Sequence, residues 1–261
     1  MSIPRFTRVS RSGREAPLLA LSAVTTHTAE RRVLNGVNLT VSRGEAVAVL
    51  GLDAAGGSQL CRIVNGSERH DSGQILVNGR PLPGGRYERE LLRADLGLIS
   101  PRDGPNARMS VIESVTRGQI RTRGISPIRA FERARALLAR AGVSGHDRED
   151  IAELSVSGRR RVQLARALAL EPRLLLLDDV TRGLDAHTCR DVIDLVDGAR
   201  TEGIALLIAT EDLRFVRATA TRIVVLCGGL VVEDQAADDF FLHPVSASAR
   251  EIVAGLADSG V

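Results

Sequence analysis

The sequence predicts an α/β fold with a mostly parallel sheet that carries helices on both of its faces. Uniformly apolar runs, which are typical of strands buried on both sides, alternate with stretches of helical periodicity along much of the chain. This alternation favours parallel pairing, because each strand is followed by a helical crossover to the next. The clearest apolar runs are RLLLLDD (173–179), IALLIAT (204–210) and RIVVLCGG (222–229).

The N-terminal part of the chain predicts more strands than helices. Its segments alternate apolar and polar residues or end in Gly and Asn-Gly turns, which is typical of strands and hairpins. The predicted strands are LLALSAV (18–24), RRVLNGVNLTV (31–41), AVAVLG (46–51) and ADLGLIS (94–100), with a hairpin at HDSGQILVNGRPL (70–82). SQLCRIVNG (58–66) predicts a helix that ends at Gly66.

The middle of the chain, residues 105–160, differs in character, since proline, glycine and arginine are frequent there. AFERARALLARAGV (130–143) has apolar residues at helical spacing, so a mostly helical insertion is predicted. Further helices are predicted at 159–170, 186–202 and 212–219, and one or two short helices from about Ala236. The predicted organisation is a basic, disordered tail (1–16), one domain (17–235) and a short helical tail (236–261).

The composition is that of an ordinary globular protein, with 44% hydrophobic and 26% charged residues. No apolar run approaches the roughly 20 residues that a membrane-spanning helix requires. The net charge of +3 is mild and the charges are interleaved, and aromatic residues make up only 2% of the chain. Neither feature favours a nucleic-acid-binding protein. The basic residues are all arginine.

Residues 51–58, GLDAAGGS, have the spacing of a phosphate-binding loop between a strand and a helix. They match G-x-x-x-x-G-K-[ST] at every anchor except the lysine, which is Gly57 here. In such a loop the backbone N–H groups and the helix N-terminus bind phosphate, and the hydroxyl of Ser58 would bind Mg²⁺. Taken alone, the stretch is equally well explained as a glycine-rich turn that binds nothing.

The strand at 173–179 ends in two carboxylates. In a nucleotide site Asp178 would hold Mg²⁺ through water, and Asp179 would polarise the attacking water. The alternative is a buried strand whose acidic end lies in solvent or caps the next helix. The upstream phosphate-type loop favours the nucleotide site.

The segment ELSVSGRRRVQLARALALEPRLLLLDDVTRGLDA (153–186) resembles the signature region of the ATP-binding cassette (ABC) proteins. In that family L-S-G-G-x precedes a helix, the acidic strand and a G-L-D loop. The resemblance extends over about residues 18–235. The TRGLD and DGPNARMSVIESV segments are most similar to the ATP-binding subunits of bacterial sugar importers, especially their second, divergent cassette.

The resemblance implies a P-loop, RecA-like sheet with an antiparallel β lobe and a helical insertion. It implies an ATP-binding subunit, with ATP and Mg²⁺ as cofactors, that lies on the cytoplasmic face of the membrane. The partners would be transmembrane permease subunits, a second cassette in a head-to-tail dimer and, indirectly, a solute-binding protein, with no nucleic acid. ATP would lie between the phosphate loop of one subunit and the signature of the other.

The family's site residues can be placed one by one on this sequence. The nucleotide contacts fall at Gly51, Asp53, Ala54, Ala55, Gly56, Gly57, Ser58, Gln59, Ser155, Gly158 and Asp185. Ser58 and Asp178 are the metal positions, and Asp179 and Glu211 occupy the positions of the catalytic glutamate and the switch histidine.

Several of these positions depart from the family pattern. Val156 and Ser157 replace the two signature glycines, and the linking-loop glutamine falls at Pro101, next to Arg102. His27 is the one planar candidate for stacking on adenine near residues 25–29.

The departures predict weak binding and slow hydrolysis of ATP. A lost charge-assisted hydrogen bond at Gly57 is worth about 1.5–3 kcal/mol. The shorter Asp179 displaces a carboxylate, and about 1 Å of misplacement can cost on the order of a hundredfold in rate. The alternative is a pseudo-cassette that supports an active partner. A non-transport cassette of translation or repair is disfavoured, because the chain has one cassette and no nucleic-acid patch.

Overall fold

A computed structural model describes residues 16–28, 32–51, 55–101 and 108–258. The predicted basic tail at 1–16 therefore lies almost wholly outside the described residues. The described strands are β1 (Leu19–His27), β2 (Arg32–Val41), β3 (Ala46–Gly51), β4 (Ser72–Val77), β5 (Arg80–Pro81), β6 (Leu96–Ile99), β7 (Leu174–Asp178), β8 (Ala205–Ala209), β9 (Arg222–Cys227) and β10 (Leu230–Ala236). The described α-helices are α1 (Ala55–Val64), α2 (Arg86–Asp95), α3 (Val111–Arg123), α4 (Pro127–Arg140), α5 (Val156–Leu168), α6 (Ala186–Thr201), α7 (Leu213–Thr219), α8 (Ala237–Leu242) and α9 (Ala247–Asp258).

The larger sheet has the strand order β10-β9-β3-β8-β7-β6. All neighbours in it pair in parallel except β10, which is antiparallel to β9. The predicted mostly parallel α/β sheet is confirmed. Because β3, β8, β7 and β6 are adjacent and parallel, their carboxyl ends share one edge of the sheet, where ligands bind in open α/β folds.

Strand β7 shows why the sheet is covered on both faces. Leu175 and Leu177 pack on one face with residues of α5 and α6, whereas Leu174 and Leu176 pack on the other with α1 and the smaller sheet. All four side chains are fully buried, and each contributes about 1.5–3 kcal/mol of hydrophobic stabilisation. This two-sided packing fixes the position of Asp178 at the end of the strand.

The smaller sheet is antiparallel, with the order β2-β1-β4-β5, and covers α1. It is tied to the larger sheet where the amide of Asn35 donates to the carbonyl of Gly229 at 2.9 Å. Gly229 has φ +77°, and a Cβ there would lie 2.8 Å from the carbonyl oxygen of Val33. Glycine is therefore required at this close approach.

The helical segment between β6 and β7 is made by α3, α4 and α5, which pack on one another. Helix α3 begins with a capping box of Ser110 and Glu113 and ends at Gly124 in the left-handed conformation. Helix α2 was missing from the sequence prediction, because most of its residues are charged and its apolar stripe is short. Nowhere in the described ranges is a helix both long and apolar enough to span a membrane.

Candidate nucleotide site

The sequence-predicted phosphate loop and acidic strand meet at the carboxyl edge of the larger sheet. The loop joins β3 to α1, Asp178 ends β7, and Glu211 follows β8. In the strand register Ala209 lies opposite Val49 on one side and Asp178 on the other. The order of the parallel strands thus brings residues that are distant in sequence to one place.

Asp178 is the centre of this site. Its side chain is only 4% exposed. The hydroxyl of Ser58 donates to Oδ1 at 2.5 Å, and the hydroxyl of Ser100 donates to Oδ2 at 3.1 Å. Both carboxylate oxygens are therefore held by hydroxyls from two different segments.

The two predicted metal positions, Ser58 and Asp178, are thus in direct contact. A hydroxyl and a carboxylate are the hard oxygen ligands that Mg²⁺ prefers, and this ion usually binds through one or two carboxylates plus phosphate oxygens. The residues present fit a magnesium ion bound together with a nucleotide.

Asp179, the predicted catalytic position, lies directly beside that carboxylate. Its backbone is left-handed, with φ +50°, and its N–H donates to the carbonyl of Ala209 at 2.8 Å. Its carboxylate pairs with Arg182 at 2.9 Å. Burial raises the pKa of Asp179; Arg182 opposes this, while the charges of Asp178 and Glu211 add to it. A raised pKa makes the group a stronger proton acceptor once it is ionised.

Gly57, at the position of the missing lysine, packs tightly against strand β8. A Cβ at this residue would lie 2.9 Å from the Cβ of Ala209 and 3.4 Å from the carbonyl oxygen of Val49. Real Cβ atoms do not approach so closely, because carbon pairs prefer about 3.5–4.0 Å. Any side chain at residue 57, including lysine, therefore requires a shift of α1 or β8.

The other phosphate-loop residues are only partly described. Gly51 ends β3, and Ala55 and Gly56 open α1. Asp53 and Ala54 lie outside the described residues. Gln59 is buried, and its side-chain oxygen accepts a hydrogen bond from Arg62 at 3.0 Å.

The signature residues form the start of α5. Ser155 is the N-cap, and its hydroxyl accepts from the amide of Gly158 at 3.1 Å. Val156, in place of a glycine, is exposed. The hydroxyl of Ser155, a residue that the resemblance assigns to nucleotide binding, thus caps the helix in this chain.

Asp185 caps α6 in the same way. It accepts from the amide and the hydroxyl of Thr188, each at 2.9 Å. These bonds hold the pKa of Asp185 below its usual value. Glu211 is exposed. The imidazole of His27 is bonded to Asp71 and Arg32.

The linking loop contributes Ser100, the residue before Pro101, to the site. Pro101 is exposed, and Arg102 lies outside the described residues. The residue that reaches Asp178 is Ser100. Its carbonyl lies 3.5 Å from Nε2 of Gln163 on α5. The one feature of the sequence that could have identified Ser100 is its place as a polar residue at the end of a predicted strand.

Arg160 is a second residue that the sequence analysis missed. It belongs to the arginine run 159–161, yet its side chain is only 6% exposed. Its Nη1 donates to Oε1 of Gln163 at 3.0 Å. Burial lowers the pKa of Arg160, and the charges of Asp179 and Asp178 oppose that effect.

With this geometry in place, comparison with known proteins is decisive. The family model described as "ABC transporter" matches residues 34–182. The chain belongs to the ABC transporter family. Within that family it is an ATP-binding cassette subunit, so the fold and the nucleotide class that the resemblance implied are confirmed.

Curated relatives of this cassette resemble it over most of its length. The glutamate transport ATP-binding protein GluA of Corynebacterium glutamicum is 30% identical, and the match covers 90% of this chain and 98% of GluA. The methionine import ATP-binding protein MetN of Caulobacter vibrioides is 35% identical, over 84% of this chain and 67% of MetN. Among solved structures, the dimeric bacterial ABC transporter cassette MJ0796 is 25% identical with a TM-score of 0.77, over 84% of this chain and 98% of MJ0796.

These comparisons do not support the sugar-import assignment from the sequence, because these relatives are named for glutamate and methionine. The physical reason is that the TRGLD segment belongs to the nucleotide machinery. A nucleotide-site motif of this kind carries no information on the transported solute.

Proposed function

We propose that this cassette is the ATP-binding subunit of an importer of an amino acid or a similar small solute. It would work with transmembrane permease subunits, a second cassette and, indirectly, a solute-binding protein, at the inner face of the membrane. The observation that supports this class is the identity of 30% to a glutamate transporter subunit over 90% of the chain.

The mechanism starts from the carboxyl edge of the sheet. Backbone N–H groups at the start of α1 would bind the phosphates, with the partial positive charge of the helix N-terminus. Ser58 and Asp178 would hold Mg²⁺, which neutralises phosphate charge when it is bound. Asp179 would orient the attacking water and accept its proton.

We further propose that the cassette binds ATP weakly and hydrolyses it slowly. Three positions of the site differ from the family pattern in ways that weaken catalysis. Gly57 provides no cation, Asp179 is one methylene shorter than glutamate, and Glu211 adds a negative charge. Each change weakens a different contact to the charge that develops on the transferred phosphoryl group.

A pseudo-cassette that assists an active partner is the second candidate. The observation that favours it is the 2.9 Å approach of a Gly57 Cβ to the Cβ of Ala209, which leaves no space for the lysine in this conformation. In that case the chain would serve assembly or regulation, and the partner cassette would supply turnover.

Steady-state hydrolysis of Mg-ATP by the purified chain tests the proposal for the site. We expect turnover far below the usual enzyme range of about 1–10³ s⁻¹; turnover within that range would refute it. Gly57→Lys with Asp179→Glu is the restoration variant, and Ala209→Gly is added to make space for the lysine. A sharp gain in turnover of this variant supports an ATPase with a weakened site. If the variant does not bind ATP, the result supports the pseudo-cassette. Asp178→Asn in the restored background is the inactive control.

Uptake of labelled solutes tests the transport class. Deletion of the gene is expected to reduce uptake of an amino acid such as glutamate or methionine and to leave sugar uptake unchanged. Loss of sugar uptake alone would contradict the proposal.

A further inference from the structure

Arg160 is a buried cation that the mechanism above does not use. It lies in the second turn of α5, and its side chain is only 6% exposed. Within the described part of the chain its Nε has no hydrogen-bond partner, and the guanidinium forms no ion pair. A buried charge without an ion-pair partner is costly, so its presence needs a physical reason.

Hydrogen bonds connect Arg160 to the centre of the nucleotide site. Its guanidinium donates to Gln163, the amide of Gln163 reaches the carbonyl of Ser100, and the hydroxyl of Ser100 donates to Asp178. Gln163, Ser100 and Asp178 are buried, like Arg160 itself. A change at Arg160 is therefore transmitted to the carboxylate that would hold Mg²⁺.

The charges of the site give a second reason. The negative charges of Asp178 and Glu211 both act on Asp179, and Gly57 adds no positive charge. The cations that act on Asp179 are Arg182 and Arg160. The side chain of Arg182 is 62% exposed, so solvent and salt screen it, whereas buried Arg160 is screened much less.

We propose that Arg160 is the positioning cation of this nucleotide site. It provides from α5 the positive charge that the phosphate loop lacks at Gly57, and it holds Asp178 in place through Gln163 and Ser100. The proposal rests on the proposed function, since it requires that the site binds a nucleoside triphosphate.

The test is the affinity of the full-length chain for ATP, ADP and AMP with Mg²⁺, measured by competition against a fluorescent ATP analogue. Arg160→Gln keeps a polar side chain and removes the charge. We expect it to weaken ATP binding about tenfold, ADP binding less and AMP binding least, because the loss scales with ligand charge. A merely structural role would weaken all three nucleotides by the same factor.

Two matched variants complete the set. Arg160→Lys is expected to keep its charge, because Asp178 and Asp179 favour a cation at this position, and to bind ATP within about threefold of the wild type. Arg190→Gln, which removes an exposed arginine on α6, is expected to bind all three nucleotides normally. If Arg160→Gln does not fold, Arg160→Met replaces it, because an apolar side chain of similar length removes the cost of burying a charge.

Restoring the lysine provides an independent measurement. In the Gly57→Lys/Ala209→Gly background a cation is again present at the phosphate loop, so the effect of removing the Arg160 charge should shrink. Equal ATP affinity of the wild type and the uncharged Arg160 variant overturns the Arg160 proposal and leaves the proposed function intact. If the wild type binds none of the three nucleotides, the proposed function fails, and the Arg160 proposal fails with it.

Discussion

A single methyl group at Gly57 tests the packing that closes the lysine position. Gly57→Ala places a Cβ 2.9 Å from the Cβ of Ala209, and Ala209 is held between two neighbouring strands opposite Val49 and Asp178. Neither atom is at the end of a flexible side chain, so the backbone of α1 or β8 has to move.

The magnitude follows from two opposing effects. Overpacking of a close-packed interior costs about 1–3 kcal/mol. Replacing glycine by alanine within a helix gains at most about 1 kcal/mol. We therefore expect Gly57→Ala to lower the free energy of unfolding by about 1–2 kcal/mol, which for a chain of this size lowers Tm by about 2–4 °C per kcal/mol.

Urea denaturation followed by circular dichroism measures this loss. Gly198→Ala in α6 is the matched control, since its Cβ meets only the flexible end of Arg140 at 3.4 Å and should not destabilise the protein. Ala209→Gly in the Gly57→Ala background removes the opposing atom, and a favourable coupling of about 0.5–3 kcal/mol is expected. A Gly57→Ala variant as stable as the control, or no coupling with Ala209→Gly, would refute the reasoning.

Two further predictions concern polar contacts. Ser58→Ala removes a hydrogen bond to a buried carboxylate and should lower the free energy of unfolding by about 1.5–3 kcal/mol. The same variant should abolish the Mg²⁺ dependence of nucleotide binding. Ser58→Thr keeps the hydroxyl and should retain both the stability and the Mg²⁺ dependence of the wild type. Glu233 is buried, which acts to raise its pKa, but hydrogen bonds from Ser246 and the amide of Val245 at the start of α9 hold that pKa below 4.5. The contribution of Glu233 to stability is therefore present above pH 4.5 and is lost as the pH falls through the lower folded-state pKa. The unfolding free energies of the wild type and Glu233→Gln should therefore converge in acid. A difference between them that stays constant with pH would contradict this assignment.

The strands of the parallel sheet could be predicted because their signal is local. Four consecutive leucines before Asp178 can only form a strand buried on both faces or a buried helical segment, and the flanking acidic and proline residues favour the strand. The phosphate loop could also be recognised from its spacing, since glycine is needed where the backbone approaches phosphate. Helix α2 was missed, because most of its residues are charged and its few apolar residues form only a short stripe. The solute could not be predicted, because nucleotide motifs contain no information on it.

The sequence by itself determined the α/β class, the order of its segments and the family to which they belong. Only the tertiary structure decided that Ser100, not Pro101, contacts Asp178, and that Arg160 is the buried member of its arginine run. It also revealed that Gly57 is closed off by Ala209. These facts depend on which strand ends lie side by side and on how closely helices approach them. Such distances are set by packing between distant segments, which local residue patterns do not specify.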